Sequence, residues 1–382
     1  MKKIINQEFG GERPLYNEHG LYLEGVKIHA GESALKETSD ITAVRCQFEG
    51  KYPFWCCDRF TIKDCLFTGG ARAALWYSRD LDMQDTIVDA PKMFREMDGL
   101  KLKNVMIPTA SETLWSCRNI EMEDVVADRA DYILMHCSDV KIRNFKLDGN
   151  YSFQWTKNVE IHDSILNTKD AFWETDNVTV YDSKINGEFL GWHSRNLKLV
   201  RCHISGSQPL CYCENLVLED CTFGEDADLA LEYSTVTATI KGHVHSIKNP
   251  RSGHITVDSV GEIIIDNAQI ARDVPSVAMS RIAKTLLPME DDGKPTKAYK
   301  DKLLTIGRKA RVTITQSMRV GDLNFTASGS ILELGTNTLT VSSSLHKNGA
   351  GWASGITISS NEVDGVWGKI VWKKPGFAVI VR

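Results

Sequence analysis

Three consecutive segments of the chain align without gaps: VEIHDSILNTKDAFWETDN (159–177), VTVYDSKINGEFLGWHSRN (178–196) and LKLVRCHISGSQPLCYCEN (197–215). Each has 19 residues and ends in Asn. Each opens with apolar residues two positions apart, which is the periodicity of a β-strand. Self-similarity at such a short, fixed period is typical of a solenoid, in which every repeat is one turn of a coil. We therefore predict a coil of β-strand rungs.

The same period continues on both sides of these repeats. Apolar residues that open a strand recur at steps of 19 to 21 residues: Ile41, Phe60, Leu81, Leu100, Ile120, Val140, Val159, Val178, Leu197, Leu216 and Val236, with one more rung opened by Leu21 or Leu23. An aromatic segment such as FQWTKN (153–158), interpreted as a third strand, follows a polar bend in each rung. Asn or Asp often closes the turn, since both tolerate a left-handed backbone and stacked Asn side chains can bond as a ladder. The pattern predicts an all-β, right-handed parallel β-helix with rungs of 19–20 residues.

The repeat loosens beyond Val236, and we predict three regions. Residues 1–283 form the β-helix. Residues 284–302 carry many charges, two Pro and one Gly, which indicates an excursion or linker. Residues 304–322 and 323–341 repeat once more, so we expect 303–382 to add rungs and a C-terminal β cap, which protects the open edge. A small separate β-domain is the alternative for that last region.

Charge and hydropathy exclude several classes of protein. The net charge of −5 offers no general basic face for nucleic acid. No apolar run approaches the roughly 18 residues of a membrane span. The opening MKKIINQEFGGERPL (1–15) lacks the apolar segment of a signal peptide. We therefore expect a cytoplasmic protein that binds neither nucleic acid nor membrane.

The ten cysteines recur at fixed rung positions. Four share one position and four share another: Cys46, Cys65, Cys202 and Cys221, and Cys57, Cys117, Cys137 and Cys213. A thiol that alternates with Ser, Thr and Val behaves as a small buried hydrophobe, so we predict free, buried thiols. Neither the Cys211/Cys213 pair nor the His243/His245 pair has a second pair at zinc spacing, and we expect no metal and no cofactor.

Side chains at one rung position form a row, with neighbours about 5 Å apart. The row that follows the Trp position contains His136, Trp155, Glu174, His193 and Tyr212. Glu174 beside His193 is the kind of pair that shares a proton in acid–base catalysis, with Tyr212 as the third candidate. A merely solvated polar face is the alternative interpretation.

Two further rows complete the predicted ligand-binding face. Strand alternation buries either the Trp row or the Phe/Leu row before it. Small residues two positions after the Trp favour a buried Trp row, which leaves Phe153 and Phe172 as a partly exposed platform for sugar rings; coverage by a bend or a partner chain is the alternative. Asp131 and Asp170 form an outward row, and Asp170 with Glu174 has a spacing that permits a glycosidase carboxylate pair.

Several long segments carry a family resemblance: ESALKETSDIT (32–42), RAALWYS (72–78), YSFQW (151–155), KDAFWETDNVTV (169–180), GSQPLCYCENL (206–216), LALEYS (229–234) and KGHVHSIKNPRSGHITVDSVGEII (241–264). In them, residues 1 to about 270 resemble an uncharacterised bacterial family of single-stranded right-handed β-helix proteins. The resemblance implies a fold distantly similar to pectate-lyase-type helices. It brings no reaction or catalytic residues, and it does not reach residues 284–382.

Three functional hypotheses follow. The first is recognition of an extended ligand such as an oligosaccharide along the 136–212 face. The second is a polysaccharide lyase or glycoside hydrolase acting through Glu174, His193 and Tyr212, although the clustered cations that lyase chemistry on acidic sugars needs are missing. The third is a structural or interaction scaffold without catalysis. An open coil end or an exposed apolar row would favour a homo-oligomer.

Overall fold

A computed structural model describes residues 1–248 and 250–264 and, beyond them, only the backbone of eight short strands between residues 303 and 381. These parts of the chain are all-β and contain no helix, and hence no helix that could cross a membrane. The chain divides into two compact units, Met1–Cys202 and His203–Arg382.

The strands of the first unit pair in parallel. They are β1 (Lys2–Ile5), β2 (Glu8–Glu12), β3 (Leu21–Glu24), β4 (Lys27–Glu32), β5 (Ser39–Val44), β6 (Gln47–Phe48), β7 (Asp58–Lys63), β8 (Leu66–Phe67), β9 (Arg79–Val88), β10 (Asp98–Ile107), β11 (Arg118–Ala127), β12 (Ser138–Asp148), β13 (Lys157–His162), β14 (Ile165–Asn167), β15 (Asp176–Tyr181), β16 (Lys184–Asn186) and β17 (Arg195–Val200). Each rung therefore contributes two strand segments, which are continuous in β9–β12 and interrupted in the other rungs.

The second unit begins with longer strands and ends with short ones. It contains β18 (His203–Ser205), β19 (Leu216–Phe223), β20 (Thr235–Lys248), β21 (Ser252–Ile264), β22 (Leu303–Ile306), β23 (Arg311–Ile314), β24 (Met318–Phe325), β25 (Ile331–Glu333), β26 (Leu339–Lys347), β27 (Thr357–Ile358), β28 (Ile370–Lys374) and β29 (Phe377–Val381). Strand β29 pairs in parallel with β21, so the edge of β21 is covered by backbone from the end of the chain.

Strand register confirms the predicted period and the parallel β-helix. Ile41 lies beside Phe60, and the same column continues upward through the predicted opening residues: Leu81, Leu100, Ile120, Val140, Val159, Val178 and Leu197. In the second unit Leu216 lies beside Val236. Tyr22 pairs with Thr42, which makes Leu21 the opening residue of its rung. Lys2 pairs with Leu21, so the coil includes one rung that the apolar pattern did not predict.

The third predicted strand of each rung is a turn segment instead. Its φ is positive at alternate residues, for example Tyr151 (63°), Phe153 (60°) and Trp155 (57°). Successive positive-φ residues send their N–H groups to opposite rungs: Tyr151 donates to the carbonyl of Lys169 at 2.7 Å, and Phe153 to the carbonyl of Ile133 at 3.0 Å. Residues two apart therefore do not share a face here, and the alternation rule for strands fails.

The predicted burial of the two aromatic rows is consequently wrong. Phe153 and Phe172 are fully buried, and their rings stack at 4.7 Å. The Trp row is half-buried, and its indole N–H groups donate to backbone carbonyls of the following rung in Trp55, Trp76, Trp115 and Trp173. Phe153 and Phe172 thus belong to the core and offer no exposed platform.

The Asn residues that close the rungs behave as predicted. Asn158, Asn177 and Asn196 have φ values of 54°, 58° and 53°. The Asn177 amide donates to the side-chain oxygen of Asn158 at 2.8 Å, which forms one step of the expected ladder. The amide of Asn196 instead donates to Asp176 at 2.9 Å. Polar side chains thus connect rungs along this corner of the coil.

The cysteines are unpaired thiols, and nine of the ten are buried. The exception is Cys56, which is exposed. All eight cysteines at the two recurrent rung positions are in the core, which confirms the predicted burial.

The region after residue 302 repeats in part as expected. Leu304 pairs with Leu323 and Ile306 with Phe325, 19 residues apart. Val312 pairs with Leu332, one residue beyond the predicted partner. Residues 284–302, predicted as an excursion or linker, lie outside the described residues, and the division of the chain into three regions stays a prediction.

Truncating Phe153 should destabilise the coil far more than truncating its exposed neighbour Trp155. Phe153→Ala removes a fully buried ring and should cost about 3–5 kcal/mol of unfolding free energy. Trp155→Ala, with the indole 39% exposed, should cost clearly less. Urea denaturation followed by circular dichroism measures both. Equal losses would contradict the assignment of Phe153 to the core.

Thiol labelling should single out Cys56 in the folded protein. Burial raises the pKa of the neighbouring Cys57 to about 11, so that thiol is both inaccessible and protonated at pH 8. We expect iodoacetamide to modify Cys56 alone within minutes, with full labelling after denaturation. Mass spectrometry of peptides gives the result, and Cys56→Ser is the control. Rapid modification of Cys57 in the native chain would refute this expectation.

Candidate functional site

The row predicted after the Trp position is a true column on the surface of the first unit. The N–H of His136 donates to the carbonyl of Gln154 at 3.0 Å, and the N–H of Trp155 to the carbonyl of Trp173 at 2.9 Å. These equivalent bonds place His136, Trp155 and Glu174 on successive rungs, and strand register places His193 on the next. We call these four residues the outer column, and all four are exposed.

Two rings of the outer column stack. The His136 and Trp155 rings are nearly parallel, with 6° between their planes and 4.7 Å between their centroids. The Trp155 indole N–H donates to a carboxylate oxygen of Glu174 at 3.1 Å. Trp155 is therefore held from both sides, and the Glu174 carboxylate is oriented by the indole.

A second stacked pair lies four residues earlier in the same turns. Tyr132 and Tyr151 have ring centroids 4.8 Å apart and an interplanar angle of 11°. The N–H of Tyr132 donates to the rung above in the same way as that of Tyr151, so they occupy one rung position. Tyr132 is 41% exposed. Sequence reasoning missed Tyr132 because it assigned Asp131 to this row, although the 19-residue spacing to Tyr151 was a usable signal.

Asp131 and Asp170 do not form the outward row that we predicted. Asp131 lies one position before the row, and its carboxylate accepts the N–H of Asn150 at 2.8 Å. Asp170 is in the row but only 5% exposed. Burial raises the pKa of Asp170, and the neighbouring Glu188 carboxylate raises it further while Lys169 opposes both effects. A buried carboxyl and the exposed Glu174 therefore do not present a matched pair to solvent.

The predicted catalytic trio is distributed over both units. Glu174 and His193 belong to the outer column. Tyr212 belongs to the second unit, where its N–H donates to the carbonyl of Glu232 at 2.7 Å and its ring lies 5.4 Å from that of Tyr233. The catalytic roles of these three residues stay predictions.

A groove on the exposed face of β9–β13 was not anticipated from the sequence. It has a volume of about 380 Å³ and is lined by alternating charges on successive rungs. Lys103 and Glu123 pair at 2.9 Å, and Lys101 and Glu121 at 3.8 Å. Such exposed pairs contribute at most about 1 kcal/mol each. The signal was the alternation of Lys and Glu one residue after each strand opening.

Metal chemistry finds no support in the described part of the chain. Nowhere in it do three or more His, Cys, Asp or Glu side chains lie close enough together to hold one ion. His243 and His245 are both exposed on β20, and Cys211 and Cys213 are buried.

Comparison with known proteins yields one match. The sequence profile of a family described as "Protein of unknown function (DUF3737)" matches residues 2–277. No curated protein and no solved structure matches the chain.

Replacing Asp170 by Asn should stabilise the chain at neutral pH. A carboxyl whose pKa is raised in the folded state binds its proton more tightly there, so stability falls as pH rises above the ordinary Asp range. Asp170→Asn removes this loss. Its advantage should be present at pH 7 and disappear near about pH 3, where the carboxyl is protonated in both states.

Urea midpoints of wild type and variant at the two pH values measure the effect. Glu174→Gln, which removes an exposed carboxylate one turn residue cluster away, isolates the contribution of burial. An advantage of the same size at both pH values would mean that the charge of Asp170 is not its cause.

Proposed function

The chain belongs to the DUF3737 family of proteins of unknown function, and we propose that it binds an extended ligand, an oligosaccharide, along the outer column. The observation that carries this proposal is the presence of two exposed, stacked aromatic pairs on the same two rungs. These are Tyr132 with Tyr151, and His136 with Trp155. The predicted ligand-binding roles of His136 and Trp155 are retained, whereas Phe153 and Phe172 leave the site because they are buried.

Exposure of these rings supports binding. Tyr132 and Trp155 are 41% and 39% exposed, and large apolar groups that cluster at a protein surface mark interaction sites. Tyr and Trp supply a large contact area with few rotatable bonds, so little side-chain entropy is lost on binding. Mutual stacking and the bond from Trp155 to Glu174 hold the rings in place before any ligand arrives, which lowers the cost further.

The chemistry of the face suits a sugar chain. A sugar ring combines apolar C–H faces with many hydroxyl groups, and an aromatic surface with a few polar groups matches both. Glu174 accepts hydrogen bonds from hydroxyl donors. The phenolic hydroxyls of Tyr132 and Tyr151 make no hydrogen bond to another residue in the described part of the chain.

The repeat explains why an extended ligand is expected. Rungs recur about every 4.8 Å along the coil, so a ligand that runs along the column meets equivalent positions at regular steps. A polymer with its own repeating unit can use several of these steps at once. A compact small molecule would use only one or two.

A glycan array followed by isothermal titration calorimetry tests the proposal. We expect binding to a neutral oligosaccharide and a loss of affinity of roughly tenfold or more in Trp155→Ala, equivalent to about 1.4 kcal/mol. The matched control is Ile165→Ala, because Ile165 is also 39% exposed but lies on another side of the rung in β14. Its affinity should equal that of wild type.

Two outcomes would redirect the functional assignment. Absence of binding to every glycan would sink the proposal and favour a scaffold role. Release of shorter sugars during incubation, abolished in Glu174→Gln, would instead establish the hydrolase or lyase alternative.

A further inference from the structure

A second aromatic cluster occupies the same turn positions closer to the N-terminus. It consists of Tyr52, Trp55, Trp76 and Tyr77, which we call the N-terminal cluster. The rings of Trp55 and Trp76 are parallel within 10°, with centroids 5.6 Å apart. Tyr52 lies 4.6 Å from Trp55.

The broad faces of the indoles are already in contact with protein groups. Trp76 stacks on Trp55 on one side, and the Arg95 guanidinium lies 4.3 Å from the Trp76 ring centre. The same guanidinium lies 4.5 Å from Trp115, so planar groups stack over four successive rungs. These contacts account for the indoles structurally, as cation–π and stacking interactions do elsewhere.

Tyr77 is different because the stack does not require it. Its ring is perpendicular to both indoles, at 86° and 87°, and nearly equidistant from them, at 5.9 Å from Trp55 and 6.0 Å from Trp76. Since the indole faces are covered, Tyr77 meets their edges, and its ring plane runs along the stack. The side chain is 44% exposed. A ring in this orientation offers a surface to a flat ligand that lies along the coil.

The cluster is rigid before binding. The indole N–H groups of Trp55 and Trp76 each donate to a backbone carbonyl at 2.6 Å, those of Ala73 and Lys92. The hydroxyls of Tyr52 and Tyr77 bond to no other residue in the parts of the chain that the structure describes. Apolar ring surface with free hydroxyls is the same combination as in Tyr132 and Tyr151.

Tyr77 and His136 occupy the same rung position. The N–H of Tyr77 donates to the carbonyl of Arg95 at 2.9 Å, as that of His136 donates to the corresponding carbonyl above it. Three rung steps separate the two residues, through Glu96 and Ser116. At about 4.8 Å per step, the two aromatic clusters are about 14 Å apart along the column.

The charges between the clusters disfavour an anionic ligand. Glu96 is exposed at the intervening position. The nearby cations Lys92 and Arg95 already face the Glu112 carboxylate, at 3.0 Å and 3.8 Å. A polymer of uronic acids would meet Glu96 and Glu174 without a free cation to neutralise it.

We propose that the N-terminal cluster is a second subsite for the ligand of the outer column, and that this ligand is an uncharged, linear polysaccharide long enough to reach both. The inference rests on the proposed function. One chain engaging two subsites binds more tightly than a fragment that fills only one, since the second contact is intramolecular.

Calorimetry with a length series tests this. The probes are cello-, manno- and xylo-oligosaccharides from the dimer to the octamer, with oligogalacturonates as the anionic comparison. For the neutral series that binds, we expect two dimers but one octamer per chain, and an octamer at least tenfold tighter than the dimer. Tyr77→Ala should reduce dimer binding to one site and octamer affinity to that of the dimer.

Matched controls separate binding from folding. Ile87→Ala alters an equally exposed residue, 44%, on β9 and should bind like wild type. Tyr77→Phe keeps the ring and should keep the two-site behaviour, and urea midpoints check that Tyr77→Ala is folded.

Each failure has a distinct signature. One dimer site that is lost in Trp155→Ala and unchanged in Tyr77→Ala would overturn the second subsite while leaving the proposed function intact. Tighter binding of oligogalacturonates would overturn the uncharged ligand. Absence of binding by every series would remove the proposed function and this inference together.

Discussion

Backbone hydrogen bonding between rungs continues through the turns, and the rest of the structure depends on it. In the strands this is ordinary parallel pairing. In the turns, positive φ at alternate residues sends N–H groups to both neighbouring rungs, as at Tyr151 and Phe153. A left-handed residue costs roughly 1–2 kcal/mol, and a buried unpaired N–H costs a similar amount or more. The turns therefore keep their strained dihedrals because the bonds to adjacent rungs offset the strain.

Columns of like residues are the direct consequence of this bonding. Each rung presents equivalent side chains above those of the rung below, so rings stack with rings, as in Phe153 on Phe172 inside and His136 on Trp155 outside. Planar groups of different chemistry join the same columns, since Arg95 takes a position between Trp76 and Trp115. A surface built this way is rigid and repeats at one fixed step, which suits a ligand that is itself a repeating chain.

The turn dihedrals also explain which site residues were predicted correctly. His136, Trp155, Glu174 and His193 were placed in one exposed column because they share a spacing, and spacing survives any local geometry. Phe153 was expected outside because strand alternation was applied to a segment that is not a strand. Asp131 was assigned to a row one residue from its true position for a related reason: bends carry no apolar periodicity by which to align them.

The sequence by itself determined the 19-residue period, the column of strand-opening residues from Ile41 to Leu197, the burial of the recurrent cysteines and the membership of the outer column. All of these follow from spacing along the chain, which a coil converts directly into height. Only the tertiary structure decided the direction of side chains in the turns, the burial of Asp170, and the stacking of Tyr77 across the edges of two indoles. Those features depend on φ at single residues and on contacts between rungs, neither of which leaves a periodic signature in the amino-acid sequence.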